Sequence, residues 1–399
     1  MNIIIAGASF PCGAGELGEV VRRHGLVPTF LDHPNNGFSS GSILSPWIIS
    51  DSVPNALATQ PGLFLPLMES WVSVGIRLTE SHLLRFDRRA ASISRSKEEL
   101  SAVLAEAGLC HVHRYRADTL EYALQAATTC GYPVVLRADT GYSGRGVWVA
   151  ESPSELRSCW LRQSEERSSS DFAEMRSVMN TDADNIVIEP WLSGREWSID
   201  CIVGPTGTFL VRVCEKATGI VLGKPVTLGY RLTTDTALCA EIGATARKWC
   251  SVLFRANGLS FACFDIRRHP CGDLVPLDFG VRLGGDCIPL LVRHAGQGRN
   301  PYAAALDAGF SGDPLSLVLP DAGNALVHAF AHRSGVYDGI RVLGHGVVVN
   351  SRQRGFVIDQ QQGGPVHRRV ATIRTYFDSQ RDFDIACATS SEWLQVNVS

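Results

Sequence analysis

The chain opens on an apolar run, Ile3 to Ala6, followed by Gly7, an amphipathic stretch from Glu16 to His24 and a second apolar run, Val27 to Asp32. That alternation of strand and helix periods predicts a βαβ unit. From Asn35 to Pro66, Pro, Ser, Gly and Asn interrupt the apolar runs, so the first module, residues 1–95, reads as small and irregular. Leu100, Val103, Leu104 and Ala107 then fall at helical spacing behind Lys97, with Gly108 as a C-terminal cap. A helix over Thr119 to Cys130 precedes a strand, Tyr132 to Arg137, a glycine-rich turn and a strand, Gly146 to Ala150. Residues 164–184 are polar and serine-rich and read as an insertion. Ile186 to Pro190, Trp197 to Val203, Thr208 to Glu215 and Gly219 to Leu228 alternate as consecutive antiparallel strands would. A helix over Ala237 to Phe254 leads to a hairpin of Ser260 to Arg267 and Leu274 to Phe279, and a further helix starts at Pro301. Residues 311–399 form a last module of short strands, such as Ala325 to Ala331 and Gly344 to Asn350, to which the pattern assigns no chemistry.

Composition narrows the function classes. A 399-residue chain has room for two or three domains, and 45% hydrophobic against 19% charged residues is a globular balance. A net charge of −3 gives no basic footprint for nucleic acid or an anionic membrane, which leaves small molecules as the expected partners. With no apolar run long enough to span a bilayer, the expected location is cytoplasmic. The 12 cysteines contain no C-x-x-C pair and read as buried reduced thiols. Basic residues are overwhelmingly arginine: Lys97, Lys216, Lys224 and Lys248 are the only lysines, so each invites a reason.

Two glycine-rich segments carry candidate chemistry. Gly13, Gly15 and Gly18 form a G-x-G-x-x-G, and Asp32 ends the next strand, so one reading is a dinucleotide site in an NAD-dependent oxidoreductase; the other is a plain turn into a helix. The second segment follows Arg137 with Gly141, Ser143, Gly144 and Gly146, where backbone amides can approach phosphate oxygens because no Cβ intervenes. Lying between two strands, it would act as a flap, or serve only as a hairpin turn. Asp265 and Asp278 fall on neighbouring strands of the predicted hairpin, where two hard carboxylates can share one Mg²⁺ with phosphate and water, or flank a surface hairpin and pair with arginines. HAFAH, with His328 and His332, is strand-like and lacks the glutamate of a metalloprotease helix.

From Lys97 to about Gly309 the order of these motifs resembles the ATP-grasp superfamily, of the carboxylate-amine ligase type that includes dipeptide ligases and biotin carboxylase. The segments that carry the likeness are SKEELSAVLAEAGL, YPVVLRADTGYSGRGV, IEPWLSGREWSID and FDIRRHPCGDLVPLDFGVRLGGD. The resemblance implies an α/β (α+β) architecture. An ATP-grasp domain over 96–310, with a lid lobe at about 110–190 and a C-lobe at about 191–310, follows a Rossmann-like domain and precedes a small β-rich module. It further implies that Lys97, Arg137, Gly141, Ser143 and Gly144 meet the phosphates of ATP. Glu189 accepts from the adenine amino group, the backbone of Trp191 and Leu192 holds the adenine edge, and Glu196 binds ribose. Asp265 and Asp278 hold one or two Mg²⁺ ions, with Mn²⁺ as a substitute, while Arg282 and Lys216 act on the transferred phosphate. Gly284, Gly285 and Asp286 meet the substrate, where Asp286 either binds an amino group or caps the following helix. By the strand reading, Lys216 and Lys224 are each placed at the γ-phosphate, at an acidic substrate or at a solvated strand edge. The implied activity joins a carboxylate to an amine through an acyl phosphate, releasing ADP and phosphate, with an amino acid or peptide-like metabolite as substrate and room for a homodimer. Two residues depart from the family's pattern: arginine stands at 137 for lysine, and Gly280 stands where asparagine would give a metal ligand. They admit a third reading, an ATP-binding protein with weakened catalysis.

Overall fold

The computed structural model describes residues 1–33, 47–50, 52–78, 83–141, 146–168, 173, 176, 185–221, 224–233, 235–255, 259–312, 323–358 and 368–399. The N-terminal module is a five-stranded parallel sheet in the order Trp47–Ile49, Val27–Asp32, Asn2–Ala6, Gly62–Pro66, Leu84–Arg85. Parallel strands must be covered on both faces, which explains why Ile3, Ile4, Ile5 and Ala6 are buried without alternation. The helix Ala14–Arg23 packs one face of this sheet against the helix Pro301–Ser311 from the middle of the chain.

That packing resolves the first glycine segment. Asn300 donates from Nδ2 to the Cys12 carbonyl and to Glu16 Oε2, and Arg293 pairs with Glu16 at 3.2 Å. A carboxylate and its partners thus cover the helix start where a dinucleotide would need its pyrophosphate. Asp32, expected at a ribose in that reading, is fully buried and accepts from the backbone amides of Ser9 and His33.

A second, four-stranded antiparallel sheet runs Tyr115–Ala117, Ile186–Pro190, Val134–Ala138, Trp148–Ala150, with the helices Leu120–Cys130 and Pro153–Arg167 packed on it. Thr119 and Ser152 cap these helices, each accepting a backbone N–H three residues on, and Pro153 occupies the first turn. The second helix extends to Arg167, into the stretch expected to be an insertion; most of the remainder, with Ser169 and Ser170, lies outside the described residues.

The third sheet has eight antiparallel strands in the order Leu274–Gly280, Ser260–Arg268, Glu196–Gly204, Gly207–Val221, Lys224–Leu232, Asn324–Phe330, Arg369–Tyr376, Val347–Ser351. The two strands expected at Thr208 to Glu215 and Gly219 to Leu228 are instead a long strand, Gly207–Val221, and a partner beginning at Lys224. A register shift between Ala217 and Thr218 breaks the alternation there, and the sequence imitates a strand end. Strands after residue 323 continue the same sheet, and a small sheet of Val357–Ile358, Gly335–Val342 and Leu394–Val398 packs beside them.

Lys224 joins the sheets at their open side. It pairs with Glu166, and its ammonium lies 4.4 Å from the centre of the Trp148 ring, which also has the Arg162 guanidinium 5.4 Å away. In this structure the expected phosphate or substrate contact of Lys224 is replaced by a latch between the lid sheet and the large sheet.

Candidate active site

A cavity of about 490 Å³ lies between the four-stranded and eight-stranded sheets. Lys97, Arg137, Gly141, Glu189, Trp191, Leu192, Glu196, Lys216, Asp265, Asp278, Arg282, Gly284, Gly285 and Asp286 all line it, although they come from stretches almost two hundred residues apart. Ser143 and Gly144 lie outside the described residues.

At one end Glu189, next to last in its strand, is buried between two guanidiniums. Arg114 Nε is 2.6 Å from Oε2, and Arg137 reaches Oε1 at 3.0 Å and Oε2 at 3.1 Å. Burial opposes the charge on Glu189, but Arg137 and Arg114 outweigh it and hold the carboxyl below its usual range. Arg137, expected at phosphate, is committed here to Glu189 and the Leu277 carbonyl. Its planar fork reaches the carboxylate and the carbonyl at once, a geometry that a lysine's single nitrogen does not reproduce. Arg114 also donates to the carbonyls of Lys97 and Pro276 and so ties the lid, the lysine helix and the acid hairpin together. In the backbone expected at the adenine edge, Trp191 N donates to the Pro133 carbonyl, and the Leu192 carbonyl accepts from Arg267 Nη1. Arg267 also stacks 4.7 Å from the Trp191 ring centre and pairs with Glu196 at 2.9 Å.

Lys97 begins the helix Lys97–Glu106, which Ser96 caps by accepting from the Glu99 amide. Its buried ammonium donates to the carbonyls of Asp139 and Gly141, both at 3.1 Å, so it holds the start of the glycine turn. The same ammonium is 3.7 Å from Asp278 Oδ1. Burial lowers its pKa, Asp278 opposes that, and the nearby Arg137 adds to it.

Asp278 and Asp265 stand directly opposite each other on antiparallel strands, which puts both side chains on one sheet face. A bulge at the next step leaves Leu277 unpaired, and the two carboxylates are about one third exposed, at 36% and 34%, both lining the cavity. Lys216 Nζ lies 2.9 Å from Asp265 and also pairs with Glu196. Burial works against its charge, but Asp265 and Glu196 together raise its pKa well above the ordinary value. Each acid therefore already faces a cation, and the two make a hard-oxygen donor set that fits Mg²⁺ completed by phosphate and water. Among the described residues no cluster of three or more His, Cys, Asp or Glu forms a metal cage. Gly280 is opposite Cys263 in the same hairpin, and a Cβ there would come within 2.9 Å of the Cys263 sulfur. Cys263 fills the space that an asparagine side chain would enter.

Beyond the acids, Arg282 is anchored by Glu69 of the N-terminal module, Nε to Oε2 at 2.5 Å, and Glu69 also pairs with Arg95 at 3.3 Å. The loop Gly284 to Asp286 follows. Gly284 N donates to Asp200 Oδ1 at 2.8 Å, and any Cβ on Gly284 would collide with Arg212, 2.1 Å away. Asp200 itself is fully buried and is held by Arg212 and by the Tyr302 hydroxyl. Asp286 does not cap the next helix, whose N-cap is Cys287; it accepts from Tyr230 OH at 2.8 Å and from Arg369 Nη1 at 2.6 Å. Sequence reasoning missed Arg114, Glu69, Tyr230 and Arg369, and no local signal marks them: Arg114 lies among His113, Tyr115 and Arg116, and Arg369 follows His367 and Arg368.

His328, in the strand Asn324–Phe330, is fully buried between Thr372 and Arg369. Burial, reinforced by Arg369, pushes its pKa down to about 3. The imidazole is thus neutral when folded and takes up a proton near pH 6.5 when unfolded. The unfolded state binds the extra proton between those values, so stability falls as pH drops below about 6.5, by at most about 1.4 kcal/mol per unit. Denaturant titrations across pH 7 to 4 should show that slope flattened in His328→Gln; an unchanged slope assigns the acid sensitivity to other groups.

The family described as carbamoyl-phosphate synthase L chain, ATP binding domain, matches residues 96–185. Formate-dependent phosphoribosylglycinamide formyltransferase of Bacillus subtilis (strain 168) is 26% identical over 161 residues, 37% of this chain and 42% of that protein. The chain thus spans well under half the length of that curated relative. The L-amino acid ligase from Bacillus licheniformis superposes over all of this chain and 98% of its own, with a TM-score of 0.68 at 15% identity. The chain has the ATP-grasp fold. The biotin carboxylase domain of Hydrogenobacter thermophilus 2-oxoglutarate carboxylase, solved as a dimer with MgADP and bicarbonate, covers 99% of this ATP-grasp chain and 90% of its own, with a TM-score of 0.61 at 12% identity. Lys97, Arg114 and Arg137 lie within the stretch that matches that family. No described helix of the ATP-grasp chain is long and apolar enough to cross a membrane.

Proposed function

We infer that this ATP-grasp chain is an ADP-forming ligase that activates a carboxylate and joins it to an amine. The observation that carries the reading is the cross-strand pair Asp265 and Asp278, each facing a buried lysine, in the same cavity as Arg282 and the Asp286 loop. Phosphoryl transfer demands little covalent chemistry of a protein and much positioning and charge neutralisation. Glu189 and Glu196 would hold the base and ribose, and Lys97 the phosphate chain under the glycine turn. Mg²⁺ held by Asp265 and Asp278 would screen the phosphate charge. A carboxylate oxygen of the substrate attacks the γ-phosphorus, the bond to the bridging oxygen breaks, and ADP leaves with the negative charge. Arg282, fixed by Glu69, lines the same cavity and would neutralise that charge as it is redistributed. The amine nitrogen then attacks the acyl carbon, loses a proton to solvent, and expels phosphate. The closed latch of Lys224, Trp148 and Glu166 excludes the water that would hydrolyse the acyl phosphate.

The test is ADP release from ATP and Mg²⁺ against pooled amino acids and small carboxylic acids, with mass spectrometry on any active pool. ADP formed in step with a condensed product is the expected result. ATP binding without ADP release in any pool would overturn the ligase reading and leave an ATP-binding protein with weakened catalysis, in which Gly280 has removed a metal ligand.

A further inference from the structure

We propose that the acid hairpin takes one divalent cation, bridging Asp265 and Asp278, and that the Arg282 guanidinium stands beside Asp278 where a second ion would bind. The inference rests on the ligase reading only for the use of the cavity by a nucleotide and its metal. The free oxygens set the number. Asp265 Oδ2 accepts from Lys216 Nζ at 2.9 Å. Asp278 Oδ1 accepts from the Phe279 amide at 3.1 Å and faces Lys97 Nζ at 3.7 Å. No hydrogen bond among the described residues engages Oδ1 of Asp265 or Oδ2 of Asp278. One oxygen thus remains on each side of the cross-strand pair, and an ion between them can complete its shell with phosphate and water.

Two-ion sites hold their metals about 3.5–4 Å apart, so a second ion needs further oxygens next to one of the acids. Beside Asp265 stands the buried ammonium of Lys216, which Glu196 also pairs. A second ion there would take Asp265 from Lys216 and leave a buried charge short of a partner, a costly exchange. Beside Asp278 the place is filled. Residues two apart on a strand share a face, so Gly280 and the facing Cys263 are the next pair along the ladder from Asp278 and Asp265. A Cβ on Gly280 would meet Cys263 Sγ at 2.9 Å, Arg282 Cγ at 3.5 Å and Arg282 Cζ at 3.7 Å. The space over the glycine therefore belongs to a thiol and a guanidinium, and Arg282 Nη1 lies 3.5 Å from the sulfur.

Arg282 is held in that space by Glu69 and by the Leu283 carbonyl. A hard ion arriving beside Asp278 would meet a fixed positive charge and a soft sulfur in place of an oxygen. Glycine at 280 and the position of the guanidinium go together, since any side chain there would displace it. The phosphate charge is then met by one ion together with Lys97 and Arg282. An arginine does not dissociate, so turnover should saturate once all ATP carries its own Mg²⁺, with no further activation by free Mg²⁺.

The test is a Mn²⁺ titration of the full chain saturated with a non-hydrolysable ATP analogue, followed by electron paramagnetic resonance. The expected end point is one bound Mn²⁺ per chain, with no spin coupling between ions. Two per chain, a coupled pair, or no Mn²⁺ retained with the analogue in place would overturn the one-cation site. In Arg282→Ala a second Mn²⁺ should bind, about tenfold or more weakly than the first, whereas Arg282→Lys, which keeps a charge there, should stay at one. A folded Arg282→Ala that still takes a single ion would strip Arg282 of the role assigned to it. The wild-type count needs no variant, so a fold lost in Arg282→Ala does not shield it. One Mn²⁺ with the analogue bound, but no ADP from any substrate pool, would sink the ligase reading and leave the count standing.

Discussion

Asp278→Asn should lower ADP formation by about 10³-fold or more, while the protein unfolds at nearly the wild-type denaturant concentration. The carboxylate is one third exposed, and its nearest cation, Lys97, keeps two carbonyl partners, so the amide leaves no bare buried charge. What disappears is one of the two carboxylates proposed to hold Mg²⁺, and among the described residues no cluster of three or more His, Cys, Asp or Glu stands ready to compensate. Gly280 sharpens the expectation, because that position contributes no side-chain oxygen. Turnover within tenfold of wild type, measured by coupled ADP detection, would remove Asp278 from the metal site and transfer the question to Asp265 alone.

Arg282→Ala should reduce kcat by about 10²–10³-fold and change the dissociation constant for ATP by no more than about twofold. The asymmetry follows from the proposed roles: Arg282, next to the loop of Gly284 to Asp286, would meet the transferred phosphate, whereas Glu189 and Glu196 would hold the base and ribose. An interaction made only as charge moves appears in kcat. Equal losses in kcat and in ATP affinity would make Arg282 an ordinary nucleotide contact. The substitution also removes one of the two cations at Glu69, leaving Arg95 at 3.3 Å, so a lower melting temperature is expected. Glu69→Gln separates the effects. It keeps Arg282 charged but loosens it, and it should cost activity less than Arg282→Ala does.

How much of this was legible in the sequence depended on the distance over which each contact is made. The acid hairpin was readable because strand alternation is local: Phe264 and Asp265 match Phe279 and Asp278 by register across a short turn. Three helix starts were equally local, with Ser96, Thr119 and Asn300 as caps, whereas the helix Pro153–Arg167 was not read although Ser152 caps it. The partners of the site residues were not. Arg114 meets Glu189 across 75 residues, Arg282 meets Glu69 across 213, and nothing near any of them in the chain encodes the other. For Arg137 the residue type was noticed, but its engagement with Glu189 depends on Arg114 and the Leu277 bulge, both set by tertiary packing. The C-terminal strands were read as strands and given no chemistry, because Arg369 and His328 acquire their surroundings only when Asn324–Phe330 pairs with Lys224–Leu232.

That last pairing also sets when the protein can first work. A ribosome delivers the acids, the lysines and the glycine turn well before it delivers residue 369, yet until Asn324–Phe330 docks, the strand Lys224–Leu232 is a bare edge with unmatched amides and carbonyls. An unfinished chain therefore holds the residues proposed to handle phosphate with no wall behind them, and a sticky margin that a neighbouring nascent chain can pair with. Carrying Arg369 on the strand that lies beyond that docking strand links readiness to completion: the last wall of the cavity arrives only after the exposed edge has been covered.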